Sequence, residues 1–169
     1  MKKHGGFSLI ELLLVVAIIG IIVAIAIPNL LASRRAANEG SAVSTLRTVY
    51  GANVSYAATV GGGNYAGTPS TVGTSALTDL ANATFIDRVL GAGEKSGFAF
   101  VGDCTAATQT ELPTFYFAAN PTTASGILAT GTKRFGVATD GVIRFDATEA
   151  TLAIPFDEVT LAAAAALSN

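Results

Sequence analysis

The chain is poor in the residues that most catalysis and metal binding depend on. It has one cysteine, one histidine and few charges: only 13% of its 169 residues are Asp, Glu, Lys or Arg. One cysteine, Cys104, builds neither an internal disulfide framework nor a four-thiolate zinc site. It reads as a small buried or partly exposed thiol, with intermolecular pairing as the alternative. The acidic side chains of Asp79, Asp87, Asp103, Asp140, Asp146 and Asp157 are scattered. They lack the D-x-D-x-D-G spacing of a calcium loop and read as solvated surface. There is no long basic run and no cluster of Arg with interleaved aromatics, so nothing points to nucleic acid. The triple glycine at residues 61–63 is not followed by Gly-Lys-Ser/Thr, which excludes a phosphate loop and leaves a flexible turn. These absences predict no catalytic residue, no metal and no cofactor, and hence a protein that is not an enzyme.

What is abundant is apolar surface. Half of the chain is hydrophobic, and the excess is concentrated in the first thirty or so residues. The remainder is rich in Ala, Thr, Gly and Ser, with Phe and Tyr interspersed. The length suffices for one domain with one core, so the sequence reads as a small soluble domain on a membrane segment.

Residues 2–28 read KKHGGFSLIELLLVVAIIGIIVAIAIP. The apolar run is about as long as the roughly 20 residues that a spanning helix needs. A secretory signal has a shorter apolar stretch and a small-residue cut site after it; here Gly5 and Gly6 precede the run. A plain single-span anchor fits the length but leaves Glu11 unexplained, because a charge in hydrocarbon costs roughly 2.5–3.5 kcal/mol on insertion scales. A segment cut at its polar end, then moved from lipid into a protein assembly, accounts for more residues. Gly5 and Gly6 let a protease accept an extended chain without steric conflict. Cutting after Gly6 gives Phe7 a cationic amine, with Glu11 four residues downstream, about one helical turn away. In a helical bundle that carboxylate pairs with the amine of a neighbouring chain, which offsets burial only when both partners are present. The charge then fixes register, as one polar core residue does in coiled coils.

The stretch GFSLIELLLVVAIIGIIVAIAIPNLLASRRAA resembles the N-terminal region of type IV pilins and of the pseudopilins of type II secretion. The Gly6-Phe7 junction, Glu11, the apolar run and Pro28 carry the resemblance, which is strong over about residues 1–58. It implies cleavage after Gly6 by a membrane prepilin peptidase that also N-methylates Phe7. It implies extraction from the bacterial inner membrane, with the N-terminus cytoplasmic, by an assembly platform into a homopolymer that also takes other pilins. The filament would be extracellular or periplasmic, and membrane lipid is the partner before assembly. His4 leaves with the leader, so no Ser-His-Asp or Cys-His site exists in the mature chain. Losing Lys2 and Lys3 leaves eight basic against twelve acidic residues, a formal −4. By charge alone orientation is nearly a tie, Lys2 and Lys3 against Arg34 and Arg35. The pattern of the major pseudopilins' calcium loop is absent, which favours a pilin; a single cysteine also forbids the C-terminal disulfide loop of many pilins. A pseudopilin remains the alternative, and a single-span receptor or enzyme a remote one.

Beyond Pro28 the spacing of Ala42, Val43, Leu46, Val49, Tyr50 and Ala57 predicts an amphipathic helix to about Ala58. Arg35 and Glu39 read as an i,i+4 pair on its solvated face, with subunit contacts as the alternative. Pro28, lacking an N–H, is expected to bend or open this helix; Gly20 is a second weak point, where melting in a filament would let helices pack at different depths. Residues 59–75 read as a loop. Residues 75–93 predict one or two short helices, with Ser75 as an N-cap and Gly91 as a stop. Strands are expected at 97–101, 114–119, 134–139 and 142–146, their aromatic faces turned to the long helix. Asp140-Gly141 predicts the tight turn of a hairpin with positive φ at both positions. In the tail, Asp157 either caps an Ala-rich helix from Glu158 to Leu167 or begins a partly ordered arm. The expected fold is α+β: a long N-terminal helix on a small antiparallel sheet. The expected divisions are a leader at 1–6, a polymerisation helix at 7–28, its amphipathic continuation at 29–58 and a head at 59–169.

Overall fold

The computed structural model describes residues 7–167. The chain divides into two compact units, residues 1–34 and 35–169. One helix, α1 (Leu9–Thr59), runs through both. In the first unit it is an unbroken apolar helix whose side chains, from Leu9 to Ile27, are solvent-exposed throughout. Helix formation persists through Pro28, so the expected local opening is not present. The proline leaves the Ala24 carbonyl without its N–H partner, while the next residue, Asn29, donates its side-chain amide to the Ile25 carbonyl at 3.2 Å.

The second unit is α+β. Two short helices, α2 (Ser75–Asn82) and α3 (Arg88–Gly91), lead into a six-stranded antiparallel sheet. Its strands are β1 (Glu94–Lys95), β2 (Phe98–Cys104), β3 (Phe115–Pro121), β4 (Arg134–Ala138), β5 (Ile143–Asp146) and β6 (Ala165–Ala166). They lie in the sheet in chain order, each beside its sequence neighbours. A 3₁₀ turn (Glu149–Thr151) and α4 (Glu158–Ala163) separate β5 from β6.

Strand alternation puts Phe98, Phe100, Phe115, Phe117, Phe135 and Val137 on one face, where they pack with Ala42, Leu46 and Val49 of α1. The rings interlock; Tyr65 and Phe115 are 4.4 Å apart between centroids, edge to face. Every residue of β3 is buried, because the sheet's other face is also covered. There Tyr116 and Ala118 meet Phe156 and Leu161 in a second cluster. Gly136 permits this closeness: a Cβ at that position would lie 2.5 Å from Leu161 Cδ1 and 3.2 Å from both Phe156 Cδ2 and the Phe117 carbonyl.

Local chemistry explains three differences from the sequence reading. The N-cap of α2 is Thr74, and Ser75 is the first helical residue; the Ser75 hydroxyl accepts instead from the Thr68 N–H at 3.3 Å. The β4–β5 connection has positive φ only at Gly141 (74°), and the Gly141 N–H donates to the Ala138 carbonyl at 2.9 Å. With Val137 opposite Ile143, this is a longer hairpin loop with the glycine in the left-handed position rather than a two-residue turn. Asp157 does cap α4, in a reciprocal box with Thr160, but the helix stops at Ala163 and the next residues pair with β5.

Candidate functional site

In the first unit, the processing position Gly6 lies outside the described residues. Phe7 precedes the helix and is exposed. The Ser8 carbonyl accepts from the N–H groups of Glu11 and Leu12 at 3.1 and 3.2 Å, which opens α1. Glu11 therefore sits in the first turn, where the unpaired N–H groups of a helix favour a negative side chain. Residues 8–11 read Ser-Leu-Ile-Glu, the spacing of a capping box, a signal that sequence reasoning passed over. From Leu12 to Ile27 no charged residue follows. By length and composition, α1 is the one described helix able to cross a membrane. The surface of residues 9–27 is thus aliphatic, with one carboxylate near its N-terminal end. Such a surface needs either lipid or other helices around it.

Among the described residues, no group of three or more His, Cys, Asp or Glu side chains stands close enough together to hold a metal ion. Cys104 is buried at the end of β2; burial, then the charges of Asp103 and Asp79, push its thiol up and away from the reactive thiolate. What the second unit has instead are buried polar clamps, which the sequence reading missed. Arg134 on β4 is 5% exposed. It pairs with Asp146 at 2.9 Å, donates to the Ile154 carbonyl at 2.8 Å and lies 4.0 Å from the Phe156 ring centroid. Asn120 on β3 donates to the Leu152 and Ile154 carbonyls at 2.8 and 2.7 Å. These two residues tie the C-terminal segment to the outer face of the sheet. The Thr151 hydroxyl, with Thr148 and Arg134, holds the Asp146 carboxyl far below the usual carboxylate range.

Arg35 and Glu39 do not pair with each other. Arg35 donates to the carbonyls of Gly126, Ile127 and Ala129, and Glu39 accepts from the N–H and hydroxyl of Thr132 at 2.6 and 2.8 Å. Backbone groups of the β3–β4 turn, held close by the fold, win over the exposed i,i+4 pair, which is worth only about 0.2–0.5 kcal/mol.

Comparison with known proteins bears on the N-terminal region. Residues 1–27 match the prokaryotic N-terminal methylation motif. Over 39 residues the chain is 59% identical to the type IV wide pilus major component PilA4 of Thermus thermophilus, covering 23% of this chain and 30% of that one. Over 54 residues it is 44% identical to the type IV major pilin protein PilA of Myxococcus xanthus, covering 32% of this chain and 24% of that one. The chain thus spans under a third of the length of either relative. No solved structure matches the chain. The motif and both relatives support the type IV pilin family.

Proposed function

We propose that this chain, with the N-terminal segment of the type IV pilin family, is a structural subunit of a type IV pilus. It is made as a precursor, cleaved after Gly6, N-methylated on Phe7 and polymerised through α1. The observation that carries the reading is Glu11: one carboxylate at the head of an exposed, otherwise uncharged apolar helix. Before assembly the helix rests in the inner membrane, where its aliphatic side chains lose no solvation. The carboxylate near the end either protonates or bonds its own amine there. In the polymer, the Phe7 amine of an incoming subunit and the Glu11 of a neighbour neutralise each other. The pair favours one axial register, because any other leaves two buried charges unmatched. A prepilin peptidase, a methyltransferase activity and an inner-membrane assembly platform are the partners this sequence of events requires.

Mass spectrometry of the mature N-terminus tests the reading. A first residue of methylated Phe7 is the expected result. A natural chain that keeps its first six residues overturns it. Surface fibres that vanish in a deletion strain separate the pilus from a short secretion pseudopilus.

A further inference from the structure

β2 has seven residues, yet its partner on the side away from β3, the short β1, reaches only Phe98 and Ala99. From Phe100 to Cys104 that side would be an open edge, and an open strand edge recruits other strands. Segments that are not strands take it up instead. The Phe100 N–H donates to the Gly93 carbonyl at 2.7 Å. Gly102 exchanges both of its backbone bonds with Gly73, at 2.8 and 2.9 Å, in an isolated bridge. The Cys104 carbonyl accepts from the Ser70 N–H at 2.9 Å. One oxygen of the Asp103 carboxylate, Oδ1, accepts from the N–H groups of both Thr71 and Cys104, each at 2.8 Å.

Residues 70–73 do little else. Ser70, Thr71 and Val72 are exposed, and none of the four belongs to either core cluster. Ser70 is held at a φ of 59°, in the left-handed region that a residue with a side chain keeps only where its surroundings impose it. Nor does the segment pass the edge on. Pro69 before it has no N–H, and the Thr71 N–H is already spent on Asp103.

The edge beneath suits a second copy of itself. Antiparallel pairing centred on Gly102 would repeat, from one Gly102 to the other, the double exchange now made with Gly73. It would set Phe100 opposite Cys104 and Val101 opposite Asp103, so that no like charges meet. We propose that residues 70–73 are an edge guard. Latched through Gly73 and Asp103, they keep β2 of one copy from pairing with β2 of another. Nothing in this device depends on the fate of α1.

Gly73→Pro and Asp103→Ala each open the guard in the full-length protein in detergent. Proline removes the donor to the Gly102 carbonyl, and a Cβ at position 73 meets nothing within 4 Å. Asp103→Ala removes the acceptor for Thr71, while Asp103→Asn keeps an oxygen there and is the control. Hydrogen exchange at the Gly102 amide and sedimentation are followed from dilute to concentrated protein. At dilution the amide of both opened variants should exchange about tenfold faster than in the wild type, as the loss of one backbone bond predicts. On concentration a dimer should form and the amide regain its protection, with Asp103→Asn behaving as the wild type. An amide that stays protected at dilution in both opened variants overturns the proposal, because something other than residues 70–73 then covers the edge. So does an unprotected amide without a dimer, since the open edge then recruits nothing. Association that leaves the amide unprotected assigns the contact to another surface and sinks the guard as well. If Asp103→Asn behaves like Asp103→Ala, the charge and not the latch keeps copies apart, and the proposal falls. Should Gly73→Pro fail to fold, Asp103→Ala read against Asp103→Asn decides.

Discussion

At the scale of single residues, two carboxylates have opposite tasks. Glu11 is exposed in the first turn of an apolar helix, and in the proposed assembly its partner is a cation of another molecule. On the proposed reading, Glu11→Ala would remove the cost of the charge in lipid and the register in the polymer together. The precursor is expected to insert and be processed normally, while electron microscopy finds few or no fibres. Abundant fibres from this variant would contradict the assembly model. Asp146 is satisfied within its own chain by Thr148, Thr151 and Arg134. Its depressed pKa means that the folded state binds its proton less readily than the unfolded chain. The stabilisation is therefore complete above the unfolded carboxylate value of about 3.9 and declines as pH falls below it. Thermal melts of the wild-type protein should be flat at neutral pH and lose midpoint in acid. Asp146→Asn should lower stability by about 1.5–3 kcal/mol at neutral pH, the range for hydrogen bonds to charged groups, and should flatten the acid slope.

At the scale of elements, helix ends and close contacts set the details. α2 ends in a Schellman motif: the Phe85 N–H donates to the Leu80 carbonyl at 2.9 Å and the Thr84 N–H to the Ala81 carbonyl at 3.1 Å. The left-handed position is Thr84, with φ of 64°, a poor residue for it because a β-branched side chain crowds the carbonyl. Thr84→Gly should raise stability by about 1 kcal/mol, the relief of strain being partly offset by the unfolded-state freedom of glycine. Denaturant titration measures this. Gly136→Ala should act in the opposite sense, costing about 1–3 kcal/mol by overpacking, because its Cβ has no space beneath Leu161 and Phe156.

The same elements show what the sequence made legible. Period-two alternation announced four strands and which aromatics share a face, because those faces are built from large side chains. The closing strands β1 and β6, two residues each, carry no period to read. The outer layer was hidden for a different reason: Gly136, Ala118 and Asn120 look like surface residues in a list. They are buried because later segments return to them, Phe156 and Leu161 over Ala118 and Gly136, and residues 152–154 over Asn120. Arg134 was passed over and Glu39 was assigned to Arg35, in part because the Ile154 carbonyl and the Thr132 N–H that they meet leave no mark in a sequence. At the N-terminus the position was reversed. The apolar run and the residues around it were legible as a pattern, the one that residues 1–27 match as a methylation motif.

At the scale of the whole molecule, the two units divide the physical demands. The described core clusters of the second unit are built from residues 42 onward. A chain beginning at Arg34 should therefore melt within a few degrees of the full-length protein in detergent, and it should no longer partition into membranes. A large loss of thermal stability would show that the first unit supports the second.

The two-residue strands at either margin of the sheet have one more effect. A protein concentrated side by side with many copies of itself runs a standing risk of amyloid-like stacking, in which exposed backbone recruits backbone. Here the margins are too short to template a cross-β ladder, and the long strands lie in the interior of the sheet. In the proposed filament, crowding would thus favour association between helices without opening a competing, irreversible route through the sheet.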